Sequence, residues 1–185
     1  MITVREATEA DLPGIAGVLI DTWRATYRGM VPDSYLDGMD HGQHIERGRR
    51  RLLEGGPGRS TWVAEVDGQV NGEFDGDAVG NIVAIASGGP ERKGRADYPA
   101  ELYAIYSLPA YQGRGIGRRL VRGVADRLAA AGFTSMIIWV LAANPARRFY
   151  ESLGGRLVDE AEIEIGGVTL PEVAYAWDSW DDLKV

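Results

Sequence analysis

The residues best placed to do chemistry lie in two stretches. The first, QGRGIGRR at 112–119, sits between a run that reads as a strand and a run that reads as an amphipathic helix. Gly113, Gly115 and Gly117 carry no side chain, so backbone can approach a ligand closely there. A helix N-terminus beginning in this loop presents unpaired N–H groups to phosphate oxygens. Gln112, Arg114, Ile116, Arg118 and Arg119 complete the stretch, and its three arginines add positive charge. A pyrophosphate group suits such a nest of amides. The dinucleotide fingerprint GxGxxG fails, because the glycines fall at 113, 115 and 117, and the P-loop pattern GxxxxGK[ST] is absent. A purely structural turn is the alternative.

The second stretch is NPARRFYESLGG at 144–155. Asn144 is placed to cap a short helix with Pro145 at its first position, and Gly154-Gly155 stops it. Tyr150 lies within that helix. A tyrosine, with a pKa of about 10, can donate a proton at neutral pH; packing of Phe149 and Tyr150 between helix and sheet is the plainer role. Glu101 opens the run ELYAIYSL, where a solvated strand end is its plainest role. Strict alternation puts Glu101, Tyr103 and Ile105 on one face, with Leu102, Ala104 and Tyr106 on the other. If Glu101 lines a cleft, Tyr103 should as well. Trp23, Tyr27, Arg28 and Tyr35 are candidates for a small-molecule pocket, since aromatic faces hold alkyl or cationic groups; helix packing is the alternative for Trp23 and Tyr27. His41 and His44 lack a partner for a metal site and read as a solvated helix face, as do Arg49–Arg51. Asp178, Asp181 and Asp182 read as surface, with Trp177 and Trp180 packing or at a dimer edge.

The elements that must position these groups follow from periodicity. ITVR at 2–5 reads as a strand. Thr8 or Asp11 caps a helix over LPGIAGVLIDTW, and TWRATYRGMVP at 22–32 reads as a second helix ending near Gly29. SYLDGM gives a short helix and 41–54 a polar one. Strands follow at 61–66, about 80–87, and 101–108. VNGEFDGDAVGN is a loop or a poorly paired hairpin arm, and GGPERKGRADYP at 88–99 an exposed loop. In 115–132, Leu120, Val121, Val124, Leu128 and Ala131 recur at helical spacing. SMIIWVLAA at 135–143 is apolar on both faces, as in a central strand. Strands near 156–165 and 170–178 form a hairpin about Gly166-Gly167. The order β-α-α-β-β-β-α-β-α-β-β predicts a mixed sheet covered by helices.

The chain has 185 residues, 45% of them hydrophobic and 25% charged, which fits one domain, 1–185, with a sizeable core. The net charge of −7 argues against a nucleic-acid partner. It is compatible with a cationic acceptor, although solubility alone would explain it. With no cysteine, disulfides and thiolate catalysis are excluded. The first residues lack an apolar signal core, and runs such as IIWVLAA are too short to span a bilayer, so a cytoplasmic location is expected.

QGRGIG resembles the Q/R-x-x-G-x-G/A motif of the GNAT superfamily of N-acetyltransferases. ITVREATEADLPGI resembles that family's first strand and helix, TWRATYRGMVPDSYLD a common substrate-side helix pair, and ELYAIYSLPAYQGRGIG with NPARRFYESLGG its cofactor core. The resemblance implies an α/β GNAT-like fold: a mixed, mostly antiparallel sheet of about six or seven strands flanked by helices. It implies acetyl-CoA as cosubstrate and no metal, with backbone from Ile105 through Tyr106 and Ser107 to Leu108 on the pantetheine arm. The amides of 112–119 would hold the phosphates. Asn144 and Arg147 would contact the cofactor, Tyr150 would be general acid for the departing thiolate, and Glu101 would take the amine proton through water. The acceptor is an amine-bearing small molecule or peptide, and a homodimer is expected from relatives. Ser107 stands where such strands often carry Val. A non-catalytic acyl-CoA-binding or regulatory module of the same fold, and a transferase for longer acyl chains, are the alternatives.

Overall fold

The computed structural model describes residues 1–68 and 81–185. The expectation for VNGEFDGDAVGN lies almost wholly outside the described residues. The elements are β1 (Ile2–Glu6), α1 (Leu12–Tyr27), α2 (Asp33–Asp37), α3 (His41–Glu54), β2 (Ser60–Val66), β3 (Ile82–Pro90), β4 (Ala100–Ser107), α4 (Ile116–Ala130), β5 (Met136–Leu141), α5 (Arg147–Ser152), β6 (Arg156–Ile165) and β7 (Val168–Trp177).

Seven strands form one sheet in the order β1-β2-β3-β4-β5-β7-β6. Neighbours run antiparallel except β4 and β5, which run parallel because α4 carries the chain back between them. This is the mixed, mostly antiparallel sheet flanked by helices that the sequence implies. β5 lies between β4 and β7, which explains why both of its faces are apolar. The main core gathers Val63, Leu102, Leu120, Val124, Met136 and Trp177, all fully buried. Trp177 donates from its indole to the Leu153 carbonyl at 2.9 Å, so it packs inside rather than at an edge.

Two elements differ from expectation. Residues 12–27 form one helix, not two, because no breaker interrupts them; the helix stops where Arg28 turns extended and Gly29 takes φ +82°. β3 runs on through Gly88 and Gly89 to Pro90, so the exposed loop is confined to 91–99. Gly88 is needed there, because a Cβ would lie 2.5 Å from Val124 on α4. Arg50 and Arg51 are exposed and Arg49 is half-buried, paired with Glu9 at 2.8 Å, so this run lies at the surface as expected.

The start of α1 is fixed by a charged knot. Arg5 of β1 reaches Asp11 with two bonds of 2.7 Å and Glu65 of β2 at 3.0 Å. Asp11 also accepts from the Thr8 amide at 2.7 Å, closing a capping box. The hydrogen bonds from Arg5 hold the Asp11 carboxyl down at a pKa of about 2. Among the described residues, no helix is long and apolar enough to cross a membrane.

Candidate active site

β4 and β5 are paired at only two positions, Ala100 with Met136 and Glu101 with Ile137. A bulge in β4 follows at once. Ser87 of β3 pairs with Ala104 and Gly88 with Leu102, leaving Tyr103 as an extra residue. A bulge bends its strand and raises its twist, which accounts for the divergence of β4 from β5. It also reverses the alternation expected from the sequence. By register with β3, Leu102 shares a face with Ile105 and Ser107, while Glu101 shares one with Ala104 and Tyr106.

The divergence opens a cleft of about 570 Å³. Its walls are β4 from Tyr103 to Ser107, β5 from Ile138 to Val140, the glycine-rich loop, the Asn144–Tyr150 segment and the end of α1. Ile105, Tyr106, Ser107, Gln112, Gly113, Gly115, Ile116, Gly117, Arg118, Asn144 and Tyr150 all line it, as do Tyr27 and Tyr103.

The loop is built for close approach. Gly113 and Gly115 take φ +72° and +76°, left-handed values that other residues rarely adopt, and Gly115 caps α4. The first helical bond runs from the Arg119 amide to the Gly115 carbonyl at 3.3 Å. The amides of 113–118 therefore have no backbone acceptor among the described residues. Gly117 is glycine for a different reason: a Cβ there would lie 2.9 Å from the Phe149 ring. A row of such donors fits a pyrophosphate. Gln112 braces the loop by donating to the Ser107 carbonyl at 3.1 Å.

At the other end, three phenols converge. Tyr150 is buried, and its hydroxyl has no protein partner among the described residues. Burial, and then the neighbouring Tyr27 and Tyr106, push its pKa well above that of an ordinary phenol. Tyr27 is also raised by burial and by Tyr106, although the hydrogen bond from Asn144 partly offsets this. That bond, Asn144 Nδ2 to Tyr27 Oη at 2.9 Å, ties the end of α1 to the turn after β5. Asn144 Oδ1 meanwhile accepts from the Ala146 amide at 2.8 Å. One side chain thus holds its own turn and spans the cleft.

Other candidates are placed elsewhere. Glu101 is fully buried and does not line the cleft; Arg92 grips it through its backbone N–H at 3.2 Å, its Nε at 2.9 Å and a further close Nη2 contact. Its carboxylate is occupied by a guanidinium. Arg119 bonds the Ile2 carbonyl at 3.1 Å, and Arg147 bonds Tyr175 Oη and the Ala142 carbonyl. Arg114 lies beside the Tyr111 ring, and Leu108 is in the core. On the acceptor side, Arg28 pairs with Asp33 and Asp37, while Trp23 packs on Tyr27 at 4.7 Å and on Tyr35 at 6.0 Å. Of the four, only Tyr27 lies on the cleft wall; Trp23, Arg28 and Tyr35 do not.

Sequence reasoning missed Thr22, Thr26, Tyr111 and Trp139 as cleft residues. Trp139 could have been found, since a tryptophan in an otherwise aliphatic central strand needs space beside it. It also missed a strap. The 91–99 loop is fastened to the sheet by Arg92 on Glu101, Lys93 on Glu172 at 2.7 Å and Arg95 on Asp159. The Lys93 ammonium lies 3.7 Å over the Trp139 ring.

This glycine-loop cleft between parallel, diverging strands can be compared with known proteins. The model of the FR47-like protein family matches residues 94–163, the segment that carries β4, the loop, α4, β5 and α5. The Bacillus subtilis (strain 168) uncharacterized N-acetyltransferase YuaI is 36% identical over 184 residues, covering 100% of this chain and 97% of that protein. The chain belongs to the GNAT superfamily of acetyl-CoA-dependent N-acetyltransferases. Solved GNAT structures agree in fold. The Salmonella typhimurium yncA structure with acetyl-CoA has a TM-score of 0.68 at 22% identity, covering 96% of this chain and 93% of that one. The Brucella melitensis ribosomal-protein-alanine N-acetyltransferase has a TM-score of 0.69 at 23% identity, covering 95% and 98%. The GNAT cleft described above lies almost wholly in the residues that the family model matches, with the end of α1 supplying the rest.

Proposed function

We propose that this enzyme transfers the acetyl group of acetyl-CoA to a primary amine, on a small molecule or a peptide, by direct attack in a ternary complex. One observation carries the reading: a single cleft has loop amides at one end and a buried phenol at the other, neither with a partner among the described residues. Bound acetyl-CoA supplies an activated carbonyl and a thiolate leaving group.

The chain's residues divide the remaining work. The amides of 113–118 hold the phosphates. Backbone from Ile105 to Ser107, turned away from β5, holds the extended arm. Tyr150 keeps its proton throughout the neutral range, because its pKa is raised, and donates to the departing sulfur. An ordinary thiol has a pKa of about 8.5, so a phenol above that value acts first as a hydrogen-bond donor and only then as an acid. Asn144 fixes the wall opposite Tyr27. Tyr27 and Tyr103 border the acceptor side.

Glu101 acts through structure, holding the strap by way of Arg92, and the amine arrives at the cleft already neutral or loses its proton to water. We place the activity in the cytoplasm. A homodimer through the edge strand β6 is disfavoured by the exposed Glu160, Glu162 and Glu164 on that strand. Initial rates with both substrates varied test the order of events. Double-reciprocal lines that intersect support the ternary complex, and parallel lines, the mark of a covalent acyl-enzyme, refute it.

A further inference from the structure

A second cavity, of about 420 Å³, lies beside the cleft and shares Tyr103 with it. It sits where the end of α3 and the turn at 55–59 meet the start of β2. Arg51, Arg59 and Arg127 line it, and none has a carboxylate partner among the described residues. The fourth arginine on the wall, Arg49, is engaged by Glu9 and Glu46. Glu6 is the other acid on the wall, so cations outnumber acids.

Two polar atoms of residues on this wall are buried with no hydrogen-bond partner among the described residues. They are Arg59 Nε and the Oγ of Ser60, a residue only 6% exposed. Buried donors are ordinarily satisfied, so such a pair marks a missing partner. Arg59 reaches over the Tyr103 ring at 5.7 Å, and Arg92 reaches the same ring at 4.4 Å. Partial desolvation, followed by the charges of Arg92, Arg47 and Arg59, lowers the Arg51 pKa. The cavity therefore concentrates positive charge that the described residues leave uncompensated.

We propose that this cavity is a binding site for a small oxyanion, the carboxylate or phosphate group of a small molecule, held by Arg59, Ser60 and Arg51. Both orphaned atoms are hydrogen-bond donors beside a positive field, which selects an acceptor-rich anion over a neutral or cationic group. Arg59 offers a planar fork, Ser60 a single hydroxyl, and Arg51 the facing charge. Because Tyr103 forms a wall of both cavities, the anion has two sources. It is either the acceptor's own carboxylate or phosphate, or a separate ligand next to the acceptor; the first source rests on the transferase reading, and the site itself does not.

Isothermal titration of the full chain with inorganic phosphate, at low ionic strength and with coenzyme A saturating, tests the site. Wild type should bind one phosphate saturably. Arg59→Gln should weaken binding about tenfold or more, since it removes a charge-assisted pair. Ser60→Ala should weaken it by a smaller factor with an unchanged melting temperature, which keeps the test open if Arg59→Gln fails to fold. Arg122→Gln, which disrupts only an exposed pair with Asp126, should change nothing. No saturable binding, equal binding by the Arg59 and Ser60 variants, or a phosphate displaced by coenzyme A would each overturn the proposal. Acetylation rates then identify the source. An ω-amino acid favoured over the alkylamine of equal length, with that preference lost in Arg59→Gln, assigns the anion to the acceptor. Equal rates with phosphate still bound assign it to a separate ligand.

Discussion

Replacing Tyr150 by Phe removes one oxygen and little else. The ring is buried against Phe149 at 5.7 Å and Tyr175 at 6.0 Å, and those contacts survive. The hydroxyl has no protein partner among the described residues, so no donor or acceptor is orphaned by its loss. Stability should therefore change by less than about 1 kcal/mol, or about 2–4 °C in melting temperature for a chain of this length. Turnover is a different matter. A positioned proton donor contributes about 100- to 10,000-fold, equivalent to about 3–5 kcal/mol of barrier. The loop amides that hold the phosphates are untouched, so KM for acetyl-CoA should stay within about threefold. Steady-state CoA release, with calorimetry of acetyl-CoA binding and a thermal melt, separates these quantities. A turnover within about threefold of wild type, with normal binding, would refute the assignment of Tyr150 to the leaving sulfur.

Three further outcomes follow from the same geometry. Gly115→Ala forces a residue with a Cβ to φ +76°, which costs about 1–2 kcal/mol, and should raise KM for acetyl-CoA more than it lowers kcat. Glu101→Gln leaves Arg92 with a weakened partner, so the melting temperature should fall while kcat stays within about threefold of wild type; a loss of kcat of about 100-fold or more would return Glu101 to the role of base. Asp11 contributes stability above its unfolded pKa of about 3.8, because its folded value is depressed to about 2. About 2 kcal/mol should be lost as the pH falls from 4 to 2, and urea titrations of Asp11→Asn should show that acid dependence flattened.

Much of the cleft was legible because it depends on local chemistry. The glycines at 113, 115 and 117, Asn144 and Tyr150 are constrained by turns and caps within a few residues of themselves. The apolar faces of β5 announced its central place, and Gly166-Gly167 announced the final hairpin. What the sequence hid depends on contacts far apart in the chain. The bulge at Tyr103 arises from register with β3, and nothing in ELYAIYSL marks it, so strict alternation misassigned the faces after Leu102. Glu101 looked available because its partner, Arg92, belongs to a loop with no periodicity. Arg49–Arg51 do lie at the surface, but nothing in the run showed that Arg49 would meet Glu9 just before α1 or that Arg49 and Arg51 would share a cavity wall with Arg59. Trp23 and Tyr35 show the reverse error, since their aromatic character serves packing between α1, α2 and the β6–β7 hairpin.

The central claim is that the cleft catalyses acetyl transfer to an amine. Mass spectrometry of reactions with acetyl-CoA and a panel of alkylamines, amino acids and peptides tests it most directly. The account predicts a product heavier by one acetyl group, formed in step with free coenzyme A and reduced about 100-fold or more by Tyr150→Phe. Tight binding of acetyl-CoA with no acetylated product from any amine would contradict it.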